Sequence, residues 1–356
     1  IFMYSNASDS TGNQSIYIGG DATFTDNTAG DNGGAIFMFS ESGLGDTGNQ
    51  SIYIGGDATF TDNITAGYSE GDGNGGAIYM QSDAYYGDTG NQSIEIGGDG
   101  IEIGAVTTLT EISKNPLVKE KFALLAKAAG VVASPQIRNV GTLAGNLAQD
   151  ARCWYYRRGL DCYRAGGNIC YADSPEGLNR EHAIFGASRC VAVSPSDTAP
   201  ALVALDATMV VTSAKGQRLV SAQDFFVGPD VNITSMTSLE EGEILTAVRL
   251  PNEWANAEYY FEKVADRNVW DFALVSISAA MKVSNGVIED SRIACGAVEC
   301  VPRRLDDVEN ALRGQQRSEQ LAEQVAAIAS EGAEPLNYNH FKIPLIENLV
   351  KRAVRG

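Results

Sequence analysis

The chain has 356 residues, of which 44% are hydrophobic, enough for two or three packed domains and too apolar to be disordered throughout. A formal net charge of −19 argues against nucleic acid as a partner, because phosphate binding needs clustered Lys and Arg. No apolar run reaches the roughly 18 residues that a membrane-spanning helix needs, so none is expected.

The charge is unevenly spread. Residues 1–100 hold 14 Asp and Glu and no Lys or Arg, whereas the rest of the chain sets 31 acids against 26 bases. All six Cys and all ten Pro lie beyond residue 100. Two kinds of polypeptide therefore share one chain. It opens on Ile with no basic stretch before an apolar one, so no signal peptide is visible and the start reads as a fragment.

The first part is a repeat array. TGNQSIYIGGDATFTDN begins at Thr11 and again at Thr47, and TGNQSI returns at Thr89, giving spacings of 36 and 42 residues. Alternating runs such as Ser51–Ile54 and Ala58–Thr61 predict short strands with one buried face. Gly-Gly, Asp-Asn and Gly-Asp pairs between them predict turns. One rung of such strands cannot bury its apolar face alone, and stacking of rungs solves that. A β-solenoid over 1–98 is the expectation. The FTDN element (Phe24–Asn27, Phe60–Asn63) with GGAI at Gly33 and Gly75 resembles the repeats of bacterial polymorphic outer-membrane proteins and autotransporter passengers. That resemblance implies a surface adhesin stalk; the plainer alternative is a repeat that only stacks. Gly71–Gly75 loosely echoes a calcium-binding turn, without the full pattern.

At 94–106 the wording changes from IEIGGDG to IEIGA. A helix is expected next, with Ser113 as N-cap, Pro116 in its first turn and Val118, Phe122, Leu125 and Ala129 at helical spacing. The stretch Ala133–Leu147, ASPQIRNVGTLAGNL, follows. Gly141 and Gly145 let the backbone come close to a ligand, successive N–H groups can form an anion-binding concavity, and Thr142 and Asn146 add side-chain donors and acceptors. Spacing alone is a weak signal, since Gly-x-x-x-Gly is usually just a tight turn.

As a string, this stretch resembles the ASPQIRNxGTxGGN signature of the FAD subunits of xanthine dehydrogenase, carbon monoxide dehydrogenase and hydroxybenzoyl-CoA reductase. Ala144 departs from the Gly often found there. The resemblance continues in order through Ser194–Leu202, Glu241–Leu245 and Phe261–Ala273. It implies that FAD is held by Ser134, Gln136, Ile137, Arg138, Asn139, Gly141, Thr142, Gly145, Asn146, Asp197, Ile244, Leu245, Lys263 and Asp271. Read singly, Asp197 is equally well a helix N-cap before Ala199–Leu205, and Lys263 with Asp271 a solvated pair. No general acid–base dyad is expected on this chain.

Strands are expected over Val269–Val283 and Gly286–Ala297, helices near 303–313 and 318–330, and a last helix with Leu345, Leu349 and Val350 on one face. The resemblances imply a mixed fold class: β-solenoid repeats (1–98), then an α+β flavoprotein made of a truncated PCMH-type FAD-binding domain (99–228), with a Cys-rich insertion at about 150–192, and a CO-dehydrogenase-flavoprotein C-terminal domain (229–356).

Cys153, Cys162, Cys170 and Cys190 are separated by 8, 7 and 19 residues. Their spacing leaves disulfides, structural zinc and a [4Fe–4S] cluster open. Cys295 and Cys300 read as ordinary buried thiols. His182, one of two histidines, reads as structural or as a neighbour of a ligand. Some flavoprotein subunits of this family carry an insertion beginning RC(W/P), and Arg152-Cys153-Trp154 with Arg180-Glu181-His182-Ala183 and Cys190 resembles it. That resemblance implies a [4Fe–4S] cluster on the four cysteines. It implies as partners a molybdopterin-binding large subunit and a [2Fe–2S] small subunit, in the cytoplasm, or in the periplasm for an exported complex. Were the repeats to dominate, the cell surface would be the location, and the chain an adhesin fragment or a non-functional chimera. The family's AGGTxL loop, which the resemblance implies wraps the FAD pyrophosphate, is absent from this sequence; the repeats stand in its place, as if unrelated segments had been joined, so half of the FAD cradle is missing and weak or no FAD binding is the expectation.

Overall fold

The computed structural model describes residues 100–355 throughout and, between residues 2 and 96, the backbones of ten strands. The Gly71–Gly75 loop and the Gly-Gly turns of the repeats lie outside the described residues. Two compact units are present, Ile1–Gly104 and Ala105–Gly356.

In the first unit equivalent strands of successive repeats pair in parallel and in register. Gln14–Ile18 pairs with Gln50–Ile54, which pairs with Gln92–Ile96, each Gln opposite Gln and each Ile opposite Ile. Phe2–Ala7, Ile36–Ser42 and Ile78–Ala84 form a second parallel set, and Ala22–Thr25 pairs with Ala58–Thr61. Identical text places identical residues in line because a parallel ladder repeats at the same register. Gly100–Gly104 closes the first set antiparallel to Gln92–Ile96.

The second unit opens with three short helices, α1 (Leu109–Lys114), α2 (Pro116–Lys121) and α3 (Ala123–Gly130), where the sequence suggested one. Thr108 caps α1 in a complete capping box with Glu111. Asn115, not Ser113, caps α2, its Oδ1 accepting from Leu117 and Val118, with Pro116 in the first turn. Phe122 leaves helical geometry (φ −135°, ψ 50°) and separates α2 from α3. The expected apolar face survives the breaks: Val118, Phe122, Leu125 and Ala129 are all buried.

Two still shorter helices follow, α4 (Pro135–Val140) and α5 (Leu143–Leu147), and then α6 (Trp154–Arg157). The Cys-rich segment after α6 contains little regular structure. Helix α7 (Ala199–Ala204) is wholly buried. An antiparallel sheet is made of β1 (Thr208–Ser213), β2 (Gly216–Ser221) and β3 (Ile244–Leu250), with β1 central; α8 (Ala222–Phe225) follows β2.

A second antiparallel sheet runs β4 (Glu258–Val264), β5 (Val275–Ser284), β6 (Val287–Gly296) and β7 (Arg303–Arg304). Strand β5 begins at Val275 rather than Val269, because Trp270 sits at φ +60° and the residues before Val275 form a loop. Helices α9 (Asp306–Leu312), α10 (Glu319–Ala329) and α11 (Lys342–Arg355) fall where the sequence put them. Val275, Ile277, Ala279 and Ile293 of the sheet pack with Leu321, Val325, Ile346, Leu349 and Val350 of the helices in one core. Each fully buried Leu, Ile or Val there contributes about 1.5–3 kcal/mol. Residues Ile184 and Phe185 join the same core, which anchors the end of the Cys-rich segment. Among the described residues no helix is long and apolar enough to cross a membrane.

Candidate flavin cleft and thiol pocket

The signature stretch forms two helical turns joined at Gly141 and strapped to the segment before α1. Leu109 N donates to Gly141 O, Leu143 N to Thr107 O and Ala144 N to Ala105 O, each at 2.9 Å. Gly141 is required by close approach: a Cβ there would lie 2.8 Å from the Ile137 carbonyl oxygen. Ala144 lies in α5 at an ordinary helical φ, so the departure from Gly is harmless. Thr142 caps α5, accepting from Gly145 N at 3.1 Å.

Asn146 ties this stretch to the second one. Its Oδ1 accepts from Ser196 Oγ and from Thr198 Oγ1, both at 2.6 Å. Asp197, between them, is not an N-cap. It is buried and pairs with Lys263 Nζ at 2.6 Å. The same ammonium donates to the carbonyls of Asp271 (2.7 Å) and Val131 (3.2 Å). Burial drives the Asp197 carboxyl up to about 6 against the pull of Lys263 and Arg152. Asp271 turns its carboxylate onto the backbone N–H groups of Arg267 and Phe272.

These residues bound a cleft of about 580 Å³, within the usual range for small-molecule sites. Of the residues the sequence singled out, Ile137, Gly141, Thr142, Gly145, Asn146, Asp197 and Asp271 line it. Lys263 lies behind it, on Asp197. Ser134 is buried as the N-cap of α4, Arg138 reaches back to the Val132 carbonyl, and Asn139 accepts from Thr110 Oγ1. Gln136 is exposed and outside the lining. Ile244 (63% exposed) and Leu245 (buried) belong to β3 and do not reach the cleft. Sequence reasoning missed Val132, Ala133, Gln149, Pro195, Trp270 and Phe272.

Ala133 and Trp270 both hold left-handed backbone, at φ +41° and +60°, and the Trp270 N–H donates to the Ala133 carbonyl at 2.8 Å. Strain of this kind costs about 1–3 kcal/mol per residue and gathers at functional sites. The lining is mainly apolar with a few polar groups, which suits a flat, polar-edged ring system.

A second pocket is lined by Cys153, Cys162, Cys170 and Cys190 together, with Tyr155, Tyr156, Tyr163, Arg164 and Tyr171 around them. All six cysteines are free thiols. Arg164 binds Asp150 Oδ1 and the Ile233 carbonyl. Burial pushes the Cys153 and Cys190 thiols up; backbone N–H groups of Tyr156 and Tyr155 pull Cys153 down, and that of Ala192 pulls Cys190 down. His182 Nε2 lies 3.3 Å from Cys153 Sγ, while its Nδ1 is buried without a partner. Burial, with Lys342 and Arg152 nearby, depresses His182 to about 4. Among the described residues no three His, Cys, Asp or Glu side chains converge on a single metal ion. Cys295 and Cys300 are buried outside the pocket lining, with both thiols pushed up to about 12 by burial.

Lys342, at the start of α11, is fully buried. Its ammonium donates to the carbonyls of Glu181 (3.1 Å), His182 (2.9 Å) and Ala297 (2.6 Å). Asn339 Nδ2 also holds the carbonyls of His182 and Ala183. Burial and the charge of Arg152 draw Lys342 down to about 7, against Glu181. A lysine closing the Cys-rich segment had no signature in the sequence.

The unit Ala105–Gly356 carries an α+β fold with a mainly apolar cleft of cofactor size. Residues 91–253 match the FAD binding domain in molybdopterin dehydrogenase, and residues 259–356 match the CO dehydrogenase flavoprotein C-terminal domain. Residues 21–38 and 57–81 match the Chlamydia polymorphic membrane protein repeat. The chain is 34% identical over 250 residues to the aldehyde oxidoreductase FAD-binding subunit PaoB of Escherichia coli K12, covering 69% of this chain and 74% of that one. It is 27% identical over 261 residues to the carbon monoxide dehydrogenase medium chain of Hydrogenophaga pseudoflava, covering 72% and 74%. Quinoline 2-oxidoreductase from Pseudomonas putida 86 shares the fold, with a TM-score of 0.54, 24% identity and coverage of 78% of this chain and 80% of that one. The chain belongs to the FAD-binding medium subunits of the xanthine and carbon monoxide dehydrogenase family of oxidoreductases.

Proposed function

We propose that this chain is the electron-transfer flavoprotein subunit of a molybdenum hydroxylase complex, with FAD in the cleft and a [4Fe–4S] cluster on Cys153, Cys162, Cys170 and Cys190. The observation that carries the reading is that four cysteines scattered over 38 residues of sequence line one pocket. Four thiols without carboxylates, two of them accepting backbone N–H groups, are the donor set of an iron–sulfur cluster. About 10 Å³ is free between them, so loading a cluster requires the thiols to move apart.

FAD, when bound, exchanges electrons with the iron–sulfur centres and with an external acceptor. This chain's own residues bind and orient. Ile137, Gly141, Thr142, Gly145 and Asn146 form one wall of the cleft, and Asp197, Asp271, Trp270 and Phe272 the other end. Lys263, behind the cleft, holds the Asp197 carboxyl in its lining. The partners are a molybdopterin-binding large subunit and a [2Fe–2S] small subunit, and the complex is cytoplasmic. The relatives' names, a medium chain of a dehydrogenase and an FAD-binding subunit of an oxidoreductase, and the family description of a molybdopterin dehydrogenase support that assembly. In the first unit, in-register parallel pairing of the repeats supports a β-solenoid.

The test is an absorption spectrum with iron and flavin assays on anaerobically purified full chain, given excess FAD. Expected are about four irons per chain, a dithionite-bleachable iron–sulfur band, and loss of iron in Cys162→Ser and Cys190→Ser with FAD retained. Colourless protein, or iron content indifferent to both substitutions, overturns the cluster.

A further inference from the structure

We propose that Arg152 couples the flavin cleft to the thiol pocket, acting as a positioning residue whose buried guanidinium carries a change of charge at one site to the other. The inference rests on the cofactor reading above and deepens it. Arg152 immediately precedes Cys153, and its backbone is fixed by a bridge to Val193, with Arg152 N donating to Val193 O at 2.9 Å. On the cleft side the guanidinium lies over the Phe272 ring at 5.0 Å and donates to the Ala273 carbonyl. Phe272 is itself cleft lining, and a small recess behind it is shared by Arg152, Asp197 and Phe272. On the pocket side the guanidinium pairs with Glu181 at 2.6 Å. The next residue, His182, reaches Cys153 Sγ.

Arg152 is therefore the one described side chain that both lines the recess behind the cleft and is joined to a pocket cysteine by the backbone and by a side-chain route. It is 7% exposed, so solvent screens it little. Asp197, Asp271, Glu181 and Asp266 act on it from the acidic side. Lys263, Lys342, Arg180 and Arg157 are the other cations around it. A cation shared in this way favours added negative charge at either site. It also makes the two additions compete, since each draws on the same charge.

The experiment is a potentiometric titration of the full chain with dithionite and mediators, in excess FAD, on iron-free and iron-loaded protein. In iron-free protein Arg152→Gln is expected to lower the flavin midpoint potential and Arg152→Lys to restore most of it. A residue needed only for packing would not be rescued by a lysine that neither stacks nor forks as arginine does. Glu181→Gln, which keeps the guanidinium and removes its counter-charge, is expected to move the midpoint in the opposite direction. Loading iron is expected to shift the wild-type flavin midpoint, and the shift to be at least halved in Arg152→Gln. Equal midpoints in wild type, Arg152→Gln and Glu181→Gln overturn the proposal, as does an iron-induced shift that Arg152→Gln leaves intact. Should Arg152→Gln not fold, an unmoved midpoint in Glu181→Gln overturns it alone. Wild-type protein that takes up no iron overturns the cluster reading and the coupling with it; iron-loaded wild type without a shift overturns only the coupling.

Discussion

The cleft and the thiol pocket lie in one unit and are built in opposite ways. The cleft is made of backbone: Gly141 without room for a Cβ, two left-handed residues bonded to each other, and main-chain straps from residues 105–109. The thiol pocket is made of side chains on an irregular segment, whose carbonyls are held by Asn179, Asn339 and Lys342 and whose Arg164 reaches out to the Ile233 carbonyl. A site built from backbone tolerates changes of side-chain chemistry and fails when atoms are added. A site built from side chains tolerates added bulk at its rim and fails when a charge or ligand is removed.

The largest expected effect tests where the cleft breaks that rule, at its one buried ion pair. Lys263→Met leaves Asp197 without its cation. Asp197 titrates near 6 in the fold against 3.8 when unfolded, so its contribution is fully present below 3.8 and lost as pH rises through 6. Without Lys263 the folded value rises further. The variant should therefore lose some stability at every pH, from the two carbonyls left without their donor, and more at pH 8 than at pH 5, by about 3–5 kcal/mol at pH 8, read by urea unfolding at both pH values. A loss that does not depend on pH would mean that Lys263 acts through the carbonyls and packing and not through Asp197.

Next in size is Gly141→Ala. Its Cβ would press on the Ile137 carbonyl, costing about 1–3 kcal/mol, with FAD affinity falling more than iron content. Equal losses of both cofactors would erase the distinction between the two sites.

Lys342→Met tests the side-chain rule in the thiol pocket. Lys342 is depressed from 10.5 to about 7, so the unfolded chain holds a proton that the native one releases between those values. Wild-type stability should rise with pH across that window relative to the Met variant, and should lose this term as pH falls through 7. Parallel pH profiles for the two proteins would show that the three carbonyls keep the ammonium charged throughout. The smallest effect is expected from Arg180→Ala. Its bidentate pair with Asp266 links the Cys-rich segment to the loop after β4, but both side chains are about half exposed. A change in thermal midpoint should be detectable at low salt only.

The cleft was legible where its chemistry is written as contiguous text. Ile137, Gly141, Thr142, Gly145, Asn146 and Asp197 announced themselves because a backbone turn needs particular residues in a row. Trp270 and Phe272 did not, because their role comes from a loop folded back onto Ala133, and the sequence there reads as the start of a strand. Ile244 and Leu245 were misplaced for a related reason: their apolar character serves β3. Helices α10 and α11 were visible through their periodicity, whereas the first helix was not seen to break at Phe122, since a buried Phe fits the apolar stripe whether or not the helix continues. Grouping of the four cysteines could be suspected from composition and resemblance. The salt bridge of Arg152 with Glu181 and the knot at Lys342 span 29 and about 160 residues, and no local pattern records contacts at such range.

That knot fixes the order in which the protein can be completed. A chain emerging from the ribosome displays Cys153 to Cys190 long before residue 342 has been made, and domains form from the N-terminus onward. Until the last helix arrives, the carbonyls of Glu181, His182 and Ala297 have no ammonium between them, and the segment bearing the thiols stands unlatched. The Cys-rich segment is thus latched last, by the fourteen-residue helix that carries Lys342.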